Sequence, residues 1–224
     1  MIRDDERFVK ICGVTSEADA LLAVGFGASA VGFIFAPSPR QVAVAEVHDI
    51  VRRLPPEVLT VGVFRDSPAA SVVEQVHAAG LGAAQLHGHE TPETVRYVRE
   101  RVPFVIKALP AGSPDVERFD EFGADLLLLD SPNPGSGVTF DWSLARGVSD
   151  PSRLVVSGGL NPGNVAELVA HLRPFGVDVA TGVESRPGVK DPRLVSDFIH
   201  NARLLPMEAH ELPDGNLPFD QDRQ

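Results

Sequence analysis

Cysteine is almost absent, with Cys12 the only one in 224 residues. A single thiol excludes an internal disulfide framework and fits a reducing compartment, so a cytoplasmic location is expected. Positive charge is also scarce. Twenty Lys and Arg face thirty-one Asp and Glu, a formal net charge of -11. That balance argues against nucleic acid or an anionic membrane as the main partner, and any anionic metabolite must be held by a local arrangement of groups. Long apolar runs are missing too. The uncharged stretch between Asp19 and Arg40 is broken by Gly25, Gly27, Gly32, Pro37 and Pro39, whereas a membrane span needs ~20 mainly apolar residues without such punctuation. Residues 1–7 are highly charged and hold no apolar signal core. No HExxH and no clustered His and carboxylate set appears, so a metal is not expected.

What is present is alternation. Short β-rich runs are predicted at Phe8–Cys12, Ala30–Phe35, Thr60–Phe64, Ala83–His87, Phe104–Ala108, Asp125–Asp130, Leu154–Ser157 and Val177–Thr181. Amphipathic segments lie between them at Glu17–Val24, Val44–Arg53, Ala69–Ala79, Pro92–Arg101, Pro114–Phe122 and Pro162–Leu172. Most strands are near-continuous apolar runs, as expected when helices cover both faces of a parallel sheet. Eight such units predict an α/β chain folded as a single (β/α)8 TIM barrel, compact against the usual ~250 residues. An open doubly wound sheet is the rival, but the first strand-to-helix turn, Cys12-Gly13-Val14-Thr15, lacks a dinucleotide glycine fingerprint. The barrel is expected over residues 1–205. From Pro206 to Gln224 periodicity gives way to Pro, Asp, Glu and Gln, and a disordered tail is expected.

In a barrel the strand C-termini carry function. Alternation along the first strand points Lys10 and Cys12 one way and Val9 and Ile11 the other. A thiol beside a lysine and near a helix start at Thr15 or Ser16 is expected to have its pKa lowered. A lone cysteine read by itself is more often a small buried hydrophobe. Asp130 closes the run Leu126-Leu127-Leu128-Leu129 and is either a turn residue or a general acid at the barrel mouth. Arg40 follows Ala36-Pro37-Ser38-Pro39, a stiffened loop that would hold a guanidinium for a carboxylate or phosphate. Gly158 and Gly159 after the seventh strand, with Gly182 and Val183 after the eighth, form the two-loop pattern of a barrel phosphate site. Asn161 and Pro162 read as N-cap and first residue of the next helix. Lys10 and Asp178 lie on strands that adjoin in a closed barrel, where they form either a buried ion pair or part of the catalytic set. Gln85, His87 and Asp178 are further candidates for touching substrate.

Taken in order, these motifs resemble the phosphoribosylanthranilate isomerases of tryptophan biosynthesis. The match runs through Val9–Thr15, Val31–Phe35 with Ser38-Pro39-Arg40, Val61–Phe64, Gln85–Gly88, Leu129-Asp130, Gly135–Gly137 with Thr139–Trp142, Ser157–Val165, and Val177-Asp178 with Gly182–Glu184. The resemblance implies Cys12 as general base, Asp130 as general acid, Arg40 on the anthranilate carboxylate, and the two glycine loops on the phosphate. It also implies a cofactor-free Amadori rearrangement of a small phosphorylated substrate, in a monomer or homodimer. Two positions depart from the family pattern. Val138 stands where a loop lysine is usual, and Gln41 where an aromatic residue often follows the arginine. Another sugar-phosphate isomerase or epimerase, or a barrel that only binds a phosphometabolite, would share much of this pattern.

Overall fold

The computed structural model describes residues 6–131, 141–145, 148 and 150–207. Eight parallel strands close into a barrel: β1 (Phe8–Ile11), β2 (Ala30–Ile34), β3 (Leu59–Phe64), β4 (Ala83–Leu86), β5 (Phe104–Pro110), β6 (Leu126–Asp130), β7 (Leu154–Val156) and β8 (Gly176–Val179). Closure comes from the β1–β8 pairing, which places Lys10 opposite Asp178. Alternation along each strand builds two cores. Phe8, Leu59, Val61, Phe104, Ile106, Leu126, Leu128 and Val155 fill the barrel. Val9, Ile11, Val31, Phe33, Val105, Leu127, Leu129 and Val156 face the helices. Lys10 therefore enters the barrel interior with Phe8, as the spacing predicts.

Outside lie α1 (Glu17–Gly25), α2 (Val44–Val51), α3 (Ala69–Ala79), α4 (Pro92–Arg99), α5 (Val165–Leu172) and α6 (Pro192–Ala202). Ser16 caps α1, accepting from Asp19 N at 3.2 Å. Several expected strands overshoot by one residue. Cys12, Phe35, His87 and Ser157 still donate one backbone N–H to the neighbouring strand but then leave the ladder. The side chains of Cys12, His87 and Ser157 come to the barrel mouth, while Phe35 stacks on Phe64 in the outer layer.

Three expectations are corrected. The segment Pro114–Phe122 is not an amphipathic α-helix but two short 3-10 turns, Pro114–Val116 and Phe119–Phe122. Its buried residues Val116, Phe119 and Phe122 recur every three positions, a spacing that aligns side chains along a 3-10 turn and is also tolerated on an α-helical face. The helix expected from Pro162 begins at Val165, with Asn164 in the cap position. Finally, α6 and a small hairpin, β9 (Glu184–Arg186) with β10 (Val189–Lys190), lie outside the elements expected from sequence. The loop motif Gly135–Gly137, Val138 and the tail beyond Met207 lie outside the described residues.

Candidate active site

The strand C-termini surround a cavity of about 370 Å³. Cys12, Arg40, Gln85, His87, Asp130, Asp178, Gly158, Gly159 and Gly182 all line it. Val183 does not, because its side chain is buried in the layer between barrel and helices.

Cys12 is fixed by its backbone N–H, which donates to Val179 O at 2.8 Å. Its Sγ faces Gly32, where an added Cβ would lie 2.9 Å from the sulfur and 3.1 Å from Lys10 Nζ. The missing side chain thus makes room for thiol and ammonium together. Lys10, wholly buried, donates to Asp178 Oδ1 at 2.8 Å. Burial alone would lower the lysine pKa, but Asp178 and Cys12 outweigh it and the pKa is raised. The expected lowering of the thiol pKa does not occur. Burial raises it, Asp178 adds to the rise, and Lys10 only partly opposes it.

Asp130 ends β6 with both oxygens engaged. Oδ1 accepts from Ser131 N at 2.8 Å, and Oδ2 lies 3.0 Å from His87 Nε2. Gln85 Nε2 lies 2.8 Å from His87 Nδ1, so three cavity residues form one chain of contacts. Gln85 Oε1 is buried and meets no hydrogen-bonding partner among the described residues, leaving an acceptor available inside the cavity wall. The backbone on each side of His87 is held from outside the barrel. Lys107 Nζ donates to Leu86 O at 3.3 Å, to Gly88 O at 2.7 Å and to Glu90 Oε2 at 2.6 Å.

Arg40 crosses over Gly13, where an added Cβ would come within 2.6 Å of its Cδ. Its Nε and Nη2 donate to the two carboxylate oxygens of Glu184, each at 2.7 Å. Lys190 Nζ donates to Glu184 Oε1 at 3.0 Å, to Ala180 O at 3.1 Å and to Cys12 O at 2.7 Å. Burial would raise the Glu184 pKa, but the two cations prevail and hold its carboxyl below the usual range. Lys190 escaped sequence reading because it lies in the short hairpin after β8 that breaks the strand–helix rhythm, although Pro187-Gly188 marks a turn that could have revealed that hairpin.

The two glycine loops meet at the cavity wall. Gly158 and Gly159 have φ of 87° and 68°, in the left-handed region that glycine tolerates. An added Cβ at Gly158 would lie 2.9 Å from Asp130 Oδ1, so this glycine also lets the loop pack onto the carboxylate. Asparagine side chains brace the loop. Asn164 Oδ1 accepts from Asn161 N at 2.9 Å, and its Nδ2 donates to Gly159 O at 3.0 Å. This stretch of the cavity wall is therefore loop, braced by Asn164, and not a helix beginning at Pro162. Among the described residues, no group of three His, Cys, Asp or Glu could hold a metal ion, and no helix is long and apolar enough to cross a membrane.

The family model described as N-(5'-phosphoribosyl)anthranilate (PRA) isomerase matches residues 9–201. An N-(5'-phosphoribosyl)anthranilate isomerase of Desulforudis audaxviator is 47% identical over 202 residues, covering 87% of this chain and 97% of that protein. The crystal structure of phosphoribosyl anthranilate isomerase from Thermus thermophilus matches with a TM-score of 0.81 at 39% identity, covering 87% of this chain and 97% of the other. A second isomerase structure, in complex with reduced 1-(o-carboxyphenylamino)-1-deoxyribulose 5-phosphate, matches with a TM-score of 0.78 at 40% identity, covering 88% of this chain and 98% of the other.

Proposed function

The chain belongs to the N-(5'-phosphoribosyl)anthranilate isomerase family, and from that premise we propose which of its residues perform the reaction. The activity is the isomerisation of N-(5'-phosphoribosyl)anthranilate to 1-(2-carboxyphenylamino)-1-deoxyribulose 5-phosphate, a step of tryptophan biosynthesis. One observation carries the residue assignment: Cys12, Arg40, Asp130 and both glycine loops line the same cavity. In this proposal the backbone around Gly158, Gly159 and Gly182 holds the phosphate, Arg40 receives the anthranilate carboxylate, and the reaction runs in the cytoplasm.

Asp130 gives its proton to the furanose ring oxygen while the amine lone pair forms a C1–N double bond. The ring C–O bond breaks and a protonated Schiff base results. The Cys12 thiolate then removes the proton on C2, that C–H electron pair becomes the C1–C2 double bond, and the C1–N π pair returns to nitrogen, giving a neutral enolamine. The C2 hydroxyl loses its proton as C1 gains one, which leaves the aminoketose. One acid and one base suffice, and every bond broken is matched by one formed.

Substitution tests the pair directly. Cys12→Ser keeps the shape but supplies a much weaker base, and Asp130→Asn has no proton to give. Each is expected to lower kcat by about 10²-fold or more while reduced product still binds. Near-normal kcat in Cys12→Ser would assign the base to another group.

A further inference from the structure

Around Arg40 the charges do not simply cancel. Two cations, Arg40 and Lys190, share one carboxylate, Glu184, and all three are largely shielded, at 15%, 0% and 3% side-chain exposure respectively. The three groups therefore carry one net positive charge at the cavity edge. Glu184 also fixes which edge of the guanidinium remains open. Guanidinium has five N–H groups. The side-on pair formed by Nε and one Nη2 hydrogen is taken by Glu184. What remains is the end formed by Nη1 and the second Nη2 hydrogen, the latter held only by a long hydrogen bond to Thr181 Oγ1 at 3.4 Å, which an incoming carboxylate can displace. Glu184 cannot swing away from this position without stranding Lys190, whose three protons go to Glu184, Cys12 O and Ala180 O. The hairpin that carries Lys190 is anchored in turn. Thr15 Oγ1 donates to Gly188 O at 2.6 Å, and Lys190 N donates to Asp19 Oδ2 at 3.2 Å.

We propose that Glu184, braced by Lys190, is a positioning residue that sets specificity for a carboxylated amine. It holds the Arg40 fork so that one anionic carboxylate fits end-on and completes the charge balance. The proposal rests on the reading that Arg40 meets the substrate carboxylate. Two substitutions separate shape from charge. Glu184→Gln keeps the shape, but one carbonyl cannot accept from Nε, Nη2 and Nζ together, and the new NH2 group would confront one of those donors. Glu184→Asp keeps the charge but falls one methylene short of spanning the fork.

The test measures binding of two ligands by calorimetry, the reduced 1-(o-carboxyphenylamino)-1-deoxyribulose 5-phosphate and its counterpart lacking the ring carboxylate. The unsubstituted protein is expected to prefer the carboxylated ligand by about tenfold or more. In Glu184→Gln and in Glu184→Asp the preference should fall to within about threefold, while affinity for the ligand without carboxylate stays unchanged, which also reports an intact fold. In turnover, KM should rise by about tenfold with kcat changed by less than about threefold. No preference in the unsubstituted protein would overturn the Arg40 reading. A clear preference there, kept in full by either variant that still binds the ligand without carboxylate, would overturn the role of Glu184.

Discussion

At the residue scale the site depends on what small residues leave open. Lys10 and Cys12 share one face of β1, and Gly32 across the β1–β2 pair provides the space they occupy. The alternation of β1 was legible from sequence because it needs only the strand period. The sign of the thiol shift was not, since it depends on how completely the mouth of the barrel buries Cys12. A nearby lysine stabilises a thiolate, but loss of water costs the thiolate more, so the proton is held more tightly than on an ordinary thiol. The proposed base is then a minority thiolate in the substrate-free protein at neutral pH. As the only cysteine, Cys12 can be followed by alkylation with iodoacetamide and mass spectrometry across a pH series. The midpoint of the alkylation rate should lie above the ordinary value of ~8.5, and Lys10→Met should move it higher still because the opposing charge is gone. A midpoint below the ordinary value would show that Lys10 outweighs burial.

At the element scale, the β4-to-α4 connection places His87 against Asp130 and is held by an ion pair outside the barrel. Lys107 and Glu90 meet at 2.6 Å with side chains 1% and 2% exposed. Glu90 also accepts from Asp66 N at 2.9 Å and from Gly88 N, which ties the β3 loop to the β4 loop. Removing one partner leaves a buried charge without compensation. Lys107→Met should therefore cost about 3–5 kcal/mol, read from urea unfolding, and should lower activity by releasing the backbone around His87. A loss under about 1 kcal/mol would mean that Glu90 finds water or another donor in the variant. Lys107 is the one charge in the run Phe104–Ala108, yet its partner Glu90, in the loop after the neighbouring strand β4, could not be read from spacing. Legibility of whole elements followed the same division. Strands declared themselves as apolar runs, and α3 carried a clear helical pattern with Gly80 ending it in the left-handed conformation. The α6 pattern of Val195, Phe198, Ile199 and Ala202 after Asp191-Pro192 was equally present, but it sits behind the hairpin, where the regular strand–helix rhythm is interrupted. For Pro114–Phe122 the apolar recurrence also fits a helical face, and spacing alone does not separate an α-helix from the two 3-10 turns that form.

At the scale of the whole molecule, closing the barrel and building the site are coupled through the β1–β8 seam. Lys10 and Asp178 pair inside it, and Lys190 ties the ends of the same two strands by donating to Cys12 O and Ala180 O. Because the seam holds two groups with raised pKa values, it gives the fold a defined alkaline weakness. The sign follows from proton linkage. Cys12 keeps its proton in the folded chain to a higher pH than in the unfolded chain, so the unfolded state binds fewer protons once pH passes ~8.5, and stability falls from there up to the folded thiol's own pKa. Lys10 adds a second loss at higher pH. Its stabilising charge is fully present below the unfolded value of ~10.4 and disappears as pH rises through its raised folded pKa. Each group contributes a slope of at most roughly 1.4 kcal/mol per pH unit within its window. Urea unfolding of the unsubstituted protein should therefore begin to weaken between about pH 8.5 and 10, and Cys12→Ala should remove that first decline while keeping the later one from Lys10. If Cys12→Ala follows the same curve as the unsubstituted protein through the lower window, the thiol is not the group that loses its proton there, and the seam owes its alkaline sensitivity to lysine alone.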